Sequence, residues 1–151
     1  MIKIICVGKI KEKFYKEAII EYEKRLSKYT KINIIEVEDI NLNNETIIKK
    51  KEAELIQKHI EPKDYVITLE IEGKQLTSIE LSEKIQQLEI TNPNITFIIG
   101  GSYGLDEQIK NISNYKLSFS KLTFPHQLFR IILLEQIYRA YKIKNNESYH
   151  K

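Results

Sequence analysis

The sequence predicts an α/β fold, a five- to six-stranded, mostly parallel sheet with helices on both faces. Two observations carry this. Short apolar runs alternate with amphipathic stretches along the whole chain, so strand-like and helix-like periodicities take turns. The stretches between successive apolar runs are also long enough to hold a crossover helix, which parallel neighbours require. No repeat, linker or low-complexity tract interrupts the alternation, so residues 1–151 are read as one domain. A chain of 151 residues buries roughly 70% of its unfolded surface, enough for a true core.

Residues 2–7 (Ile-Lys-Ile-Ile-Cys-Val) read as a buried strand closed by Gly8, and residues 12–29 as a helix with Phe14, Ala18, Ile19, Tyr22 and Leu26 at helical spacing. A second strand at 32–38 leads through the Asn-rich stretch 41–44 into a helix at 46–60 that Pro62 stops. The third strand, Tyr65 to Ile71, ends at Gly73; Thr77-Ser78-Ile79-Glu80 then fits a capping box opening a helix through Leu88. Ile95 to Ile99 is the fourth strand, followed by three glycines and a short helix at 105–112. Lys116 to Phe119 makes the fifth, and Pro125 sits where a first helical turn tolerates proline, ahead of a helix reaching Lys142. The apolar surface of that last helix, Ile131, Ile132, Leu134, Ile137, Tyr138 and Tyr141, is too broad for one face of a small sheet, which points to a second subunit.

Several classes are excluded. The N-terminus lacks a signal peptide's apolar region and no apolar run approaches the roughly 18 residues of a membrane span, so a cytoplasmic protein is expected. Cys6, the one cysteine, lies inside a strand and reads as a small buried side chain. His59, His126 and His150 are far apart with no cysteine pair, so no metal site is expected.

The net charge of +3 hides a segregated distribution. Residues 1–31 carry nine basic and four acidic side chains, residues 121–151 six and two, and the middle nine and fifteen. Basic ends flanking an acidic middle steer a polyanion such as nucleic acid toward one face; a solvated lysine-rich helix surface is the other reading.

In open α/β sheets ligands bind beyond the carboxyl ends of the strands. The segments to read are therefore Thr68 to Gly73, Gly100-Gly101-Ser102-Tyr103-Gly104, and Ser118 to Phe124. Clustered glycines permit positive φ and close backbone approach to a ligand, although a tight strand-to-helix turn would use them equally. The cluster is neither a dinucleotide fingerprint nor a Walker A sequence. His126, at a helix N-terminus, either meets an anion or substrate edge there or is a satisfied structural histidine.

Four ordered motifs resemble the ribosomal RNA large-subunit methyltransferase H family of the SPOUT superfamily. They are Gly100 to Leu105; Leu122-Thr123-Phe124-Pro125-His126 with Arg130; Glu135-Gln136-Ile137-Tyr138-Arg139-Ala140; and Asn146 with Tyr149-His150-Lys151. The resemblance starts at Val7-Gly8-Lys9, continues through Glu21 to Arg25 and Thr68-Leu69, and is weakest at 39–50. It implies a C-terminal trefoil knot, a topology that chain-connection rules ordinarily exclude, and a homodimer binding S-adenosylmethionine. It further implies methylation of N3 of a pseudouridine in 23S rRNA of the assembled 70S ribosome. By position, cofactor contacts fall on Leu69, Gly100, Gly101, Gly104 and the run Phe119, Ser120, Lys121, Leu122, Thr123, Phe124.

Methyl transfer from a sulfonium to a ring nitrogen is an in-line displacement that rewards alignment, and N3 must lose its proton. His150 and His126 are the candidate bases. Tyr149 would stack on or hydrogen-bond the target, and Arg139 with Arg130 would hold phosphate or stabilise the anionic ring. The tail Tyr149-His150-Lys151 is expected to reach the cofactor pocket of its own or a partner subunit. Arg130, Lys24, Arg25 and Lys151 are the expected RNA contacts, the middle two on a basic helix that also carries Lys13, Lys16 and Lys28. A non-catalytic rRNA- or ribosome-binding factor with the same fold is the alternative, and an enzyme for a small anionic metabolite, using His126 and Arg130, is a third.

Overall fold

Ile2 to Val7 carries a single polar side chain, Lys3, and no regular alternation, the pattern of a strand covered on both faces, and every residue of this strand, β1 (Ile2–Val7), is buried. The computed structural model describes residues 1–151. After β1 come α1 (Lys13–Leu26), β2 (Ile32–Val37), α2 (Glu45–Gln57), β3 (Asp64–Gln75), α3 (Ser78–Thr91), β4 (Asn94–Ile99), α4 (Glu107–Ile112), β5 (Tyr115–Ser118) and α5 (His126–Lys144). Each expected element is present. The sheet has five strands in the order β2-β1-β4-β3-β5, with every pairing parallel.

Strand alternation sorts the core into two layers. Ile4, Cys6, Ile95, Phe97 and Ile99 face α1, α3 and α5, meeting Ile19, Leu26, Leu81, Ile85, Leu133, Leu134 and Ile137. Ile5, Val7, Val66 and Ile98 face α2 and α4, meeting Ala53, Ile56 and Ile109. Cys6 is buried as expected, and burial pushes its thiol up to about 12, which makes it inert. Lys3 shares the second face; its Nζ hydrogen-bonds Asp64 at 2.7 Å and the His59 carbonyl at 2.9 Å, which satisfies a buried cation at the amino ends of the strands.

The breadth of apolar surface on α5 has its explanation largely within the chain. The helix packs against both α1 and α3, which bury Leu133, Leu134, Ile137, Tyr138 and Tyr141. Ile131 and Ile132 stay half-buried. The capping box at α3 forms as predicted, Thr77 Oγ1 accepting from the Glu80 N–H at 3.1 Å and the Glu80 carboxylate from the Thr77 N–H at 2.8 Å.

β3 runs past its predicted end. Leu69 and Lys74 both oppose Leu117, so the residues between them bulge out of the ladder beyond the sheet's carboxyl edge. Gly73 permits the return: a Cβ there would lie 2.7 Å from the Lys116 carbonyl oxygen, so β5 can approach only a glycine.

Candidate active site

A cleft of about 700 Å³ opens at the carboxyl ends of β3, β4 and β5, inside the size range of cofactor pockets. One wall is the β3 bulge, Leu69 to Glu72; the second is the glycine loop, Gly100 to Leu105; the third is Leu117 to Ser120 with Leu122 to His126. The glycine loop is a closed turn in which the Gly104 N–H donates to the Gly101 carbonyl at 3.0 Å. A Cβ on Gly100 would meet Gly104 backbone at 2.9 Å, while Gly104, at φ +79°, has nothing within 4 Å of its Cβ position. The loop is therefore both a tight turn and an open face toward the cleft; the two readings of the glycines are compatible. The third wall is stiffened by aromatic packing, with Phe119 edge-on to Phe129 at 5.0 Å and Phe124 stacked on it at 6.0 Å. Ser120 Oγ accepts from the Leu122 N–H at 3.0 Å and fixes the turn between them. An acidic corner completes the cleft: Glu70 accepts from Thr68 Oγ1 at 2.5 Å and lies 3.9 Å from Lys110.

His126, the first residue of α5, lines the cleft, with Nε2 3.8 Å from where a Cβ on Gly8 would stand. One turn on, the geometry overturns the expectation for Arg130. Its side chain is almost wholly buried, Nη1 donating to Glu36 at 2.6 Å and Nη2 to the Gly8 carbonyl at 3.1 Å, while Nε finds no partner. Glu36 also accepts from the Ile10 N–H at 3.0 Å. Arg130 thus ties α5 to β2 and to the segment after β1, and its burial, unpaired Nε included, keeps it from RNA phosphate or an anionic metabolite. Nearby, Glu52 on α2 is 3% exposed and accepts from the Ile40 N–H at 3.2 Å, beneath Gly101. Burial, with a smaller push from Asp39, raises its carboxyl to about 7.

A second cluster forms at the other end of α5. Glu135 Oε1 accepts from Arg139 Nη2 at 2.5 Å, Arg139 Nε at 3.1 Å and Tyr149 OH at 3.0 Å. The Tyr149 ring packs edge-on against Tyr138 at 4.9 Å and under the Arg139 guanidinium at 4.8 Å. Arg139 Nη1 lies 3.2 Å from His150 Nδ1; since guanidinium only donates, Nδ1 accepts and the neutral ring carries its proton on Nε2. Burial and then the Glu135 hydrogen bond push Tyr149 up to about 12, so it is a donor at neutral pH. Lys24 and Arg25 are exposed on α1 beside this cluster, the Arg25 guanidinium 5.6 Å from the Tyr138 ring.

A family model described as "Predicted SPOUT methyltransferase" matches residues 1–150. The chain belongs to the SPOUT methyltransferases. It is 58% identical over 157 residues to the ribosomal RNA large subunit methyltransferase H of Clostridium botulinum (strain Kyoto / Type A2), with 99% of each chain covered. It is 55% identical, at the same coverage, to the protein of that name from the Loch Maree strain. Among solved structures, a probable methylase family protein from Haemophilus influenzae Rd KW20 matches at a TM-score of 0.57 and 13% identity, over 99% of this chain and 70% of that one, a likeness of fold.

Within this SPOUT frame, the predicted residues divide into two groups. Leu69, Gly100, Gly101, Gly104, Phe119, Ser120, Leu122, Thr123, Phe124 and His126 line one cleft; Lys121, exposed in the same loop, is not part of its lining. Arg139, Tyr149 and His150 meet each other but none lines their own chain's cleft. Glu135, the hub of that second group, was legible as the i−4 partner of Arg139. No helix is long and apolar enough to cross a membrane.

Proposed function

We propose that the chain is an S-adenosylmethionine-dependent methyltransferase acting on N3 of a pseudouridine in 23S rRNA of the assembled ribosome, in the cytoplasm, as a homodimer. The observation that carries this reading is the separation of a glycine-walled cleft from a cluster of charged donors on the tail. A cleft alone binds a cofactor and a tail alone binds RNA; a second copy of the chain would bring one copy's tail to the other's cleft. The family's trefoil knot belongs to the same proposal, supported by a segment that leaves edge strand β5 and returns to wall the cleft beside β3 and β4.

The cleft fits the cofactor in shape and chemistry. Backbone of the glycine loop and of residues 117–120 would hold the adenosine, Leu69, Leu117 and Phe119 giving apolar contact. Glu70 and Glu72 would face the positive charges of the amino acid part. S-adenosylmethionine supplies an electrophilic sulfonium methyl. The protein's share is to hold N3 in line and to stabilise the ring as its proton leaves. The single hydroxyl hydrogen of Tyr149 is given to Glu135, which leaves its ring for stacking on the target base, and His150 offers Nε2–H because Nδ1 is taken up by Arg139. The tail is therefore better suited to stabilising negative charge on O2 and O4 than to removing the proton. His126 remains the candidate base on the cleft side. Lys24, Arg25 and Lys151 would hold rRNA phosphate around the tail, and association with ribosomes should weaken steeply with salt.

The test is transfer of labelled methyl to ribosomes lacking the modification, with free 23S rRNA and unmodified-uridine ribosomes in parallel. Label confined to one pseudouridine of intact ribosomes is expected. Absence of label from every RNA would reject the methyltransferase and favour the non-catalytic binding factor.

A further inference from the structure

The tail is held in place by a device outside the groups named so far. Helix α5 ends at Lys144, and Asn146 then adopts φ 52°, a left-handed conformation that asparagine tolerates. The Glu147 N–H reaches back to the Lys142 carbonyl at 3.0 Å and the Asn146 N–H to that of Ile143 at 3.1 Å. Together these form a Schellman motif, which usually carries an apolar contact between the two outer residues. Here those residues are Lys142 and Glu147, and the contact is ionic: Lys142 Nζ donates to Glu147 Oε2 at 2.9 Å. Tyr29, just beyond α1, donates to Glu147 Oε1 at 2.8 Å, and Lys28 Nζ stands 3.6 Å from Oε2. The Tyr29 ring is itself stacked on Tyr141 at 5.8 Å, so the clamp has a fixed base.

The consequence falls on the residues that follow. Reversing at Asn146 sends the chain back along α5, which lets the Tyr149 hydroxyl reach Glu135 and the His150 ring reach Arg139. Without the reversal neither contact is available to a tail leaving the helix straight.

We propose that Glu147 is a positioning residue for methyl transfer: its carboxylate, clamped by Lys142, Tyr29 and Lys28, holds the reversed tail so that Tyr149 and His150 are presented in one orientation. This rests on the reading that the tail works at the methyl-transfer site. Hydrogen bonds from Lys142 and Tyr29 hold the Glu147 carboxyl below the usual carboxylate range, so the clamp stays ionised at neutral pH.

The experiment compares Glu147→Ala, Glu147→Gln and a chain lacking residues 148–151, each as the full dimer, in methyl transfer to unmethylated ribosomes. Hydrogen exchange is followed along α5 and the tail. Misplacing a catalytic group by about an ångström costs up to about 100-fold, and E147A should lower kcat roughly tenfold with KM for S-adenosylmethionine unchanged. Exchange should rise after Asn145 and stay slow within α5. E147Q keeps an acceptor for Tyr29 and should recover most of the rate. If E147A matched the wild type while the truncated chain was inactive, the tail would work without the clamp and the proposal would be overturned. A rise in ribosome KM with kcat unchanged would also overturn it, making Glu147 a determinant of RNA affinity. A fully active truncated chain would overturn the tail reading itself.

Discussion

Arg130 and Arg139 occupy the same helix, and both motifs containing them look functional in sequence, yet they answer to different physics. Arg130 is 1% exposed and spends two of its three nitrogens on Glu36 and the Gly8 carbonyl. Arg139 is partly open, braced by Glu135 at i−4 and left facing Tyr149 and His150. The first welds α5 to the sheet edge beside the cleft; the second, on the proposed function, presents a donor to the RNA target. A buried guanidinium is expensive to unpair and so becomes structure, whereas a braced surface one is already oriented and costs little to redirect to a ligand.

Substitutions at the two arginines should therefore separate activity from stability. Arg139→Ala is expected to lower kcat for ribosome methylation at least 100-fold, a loss of about 3 kcal/mol in transition-state stabilisation, with a denaturation midpoint close to the wild type. Arg130→Ala should reduce stability by about 3 kcal/mol, because it removes a buried side chain and leaves the Gly8 carbonyl without its donor, as denaturant titration would show. The contrast is broken if R130A folds with unchanged stability and loses only RNA affinity.

Glu52 sharpens the picture of the cleft end. Its folded-state carboxyl, near 7, lies above the ordinary value, so between about 4.5 and 7 the native state binds more protons than the unfolded one. Stability from this group is fully present below that window and is lost as pH rises through it, by about 3 kcal/mol. Glu52→Gln should flatten the slope, leaving the variant more stable than the wild type at pH 8; an identical pH profile in the two would remove Glu52 as its source. The smallest effect is expected on the tail side. Lys24→Ala and Arg25→Ala should each reduce the salt slope of ribosome binding by about one, each removing one phosphate contact, while the melting temperature stays constant.

The strands and helices were legible because each obeys a local rule: Ile2 to Val7 is apolar but for Lys3, Thr77 and Glu80 stand at capping-box spacing, and Pro125 precedes a helix. The cleft was legible as three loops at strand ends, since parallel topology alone gathers them there. What local pattern could not give were partners far apart in sequence. Arg130 meets Glu36 across the sheet and Glu147 meets Tyr29 across two helices, so both side chains read as free charges until the fold closes. Gly73 looked like a strand terminus, and only the approach of Lys116 shows why nothing larger fits. The proposed knot rests on the family resemblance alone, because periodicity reports which segments are strands but not how they are threaded.

The central claim is that the working site is assembled from one copy's cleft and another copy's tail, and mixed dimers test it most directly. One partner would lack residues 148–151 and keep its cleft. The other would keep its tail and carry Gly104→Tyr, whose side chain projects from the open face of the glycine loop at a cost of about 1–2 kcal/mol for the left-handed backbone. Each homodimer should be inactive, and co-refolded mixtures should recover methyl transfer to ribosomes in proportion to the mixed dimer present. Mixtures as inactive as their parents, in samples shown to contain the mixed dimer, would place tail and cleft in the same chain and contradict the account.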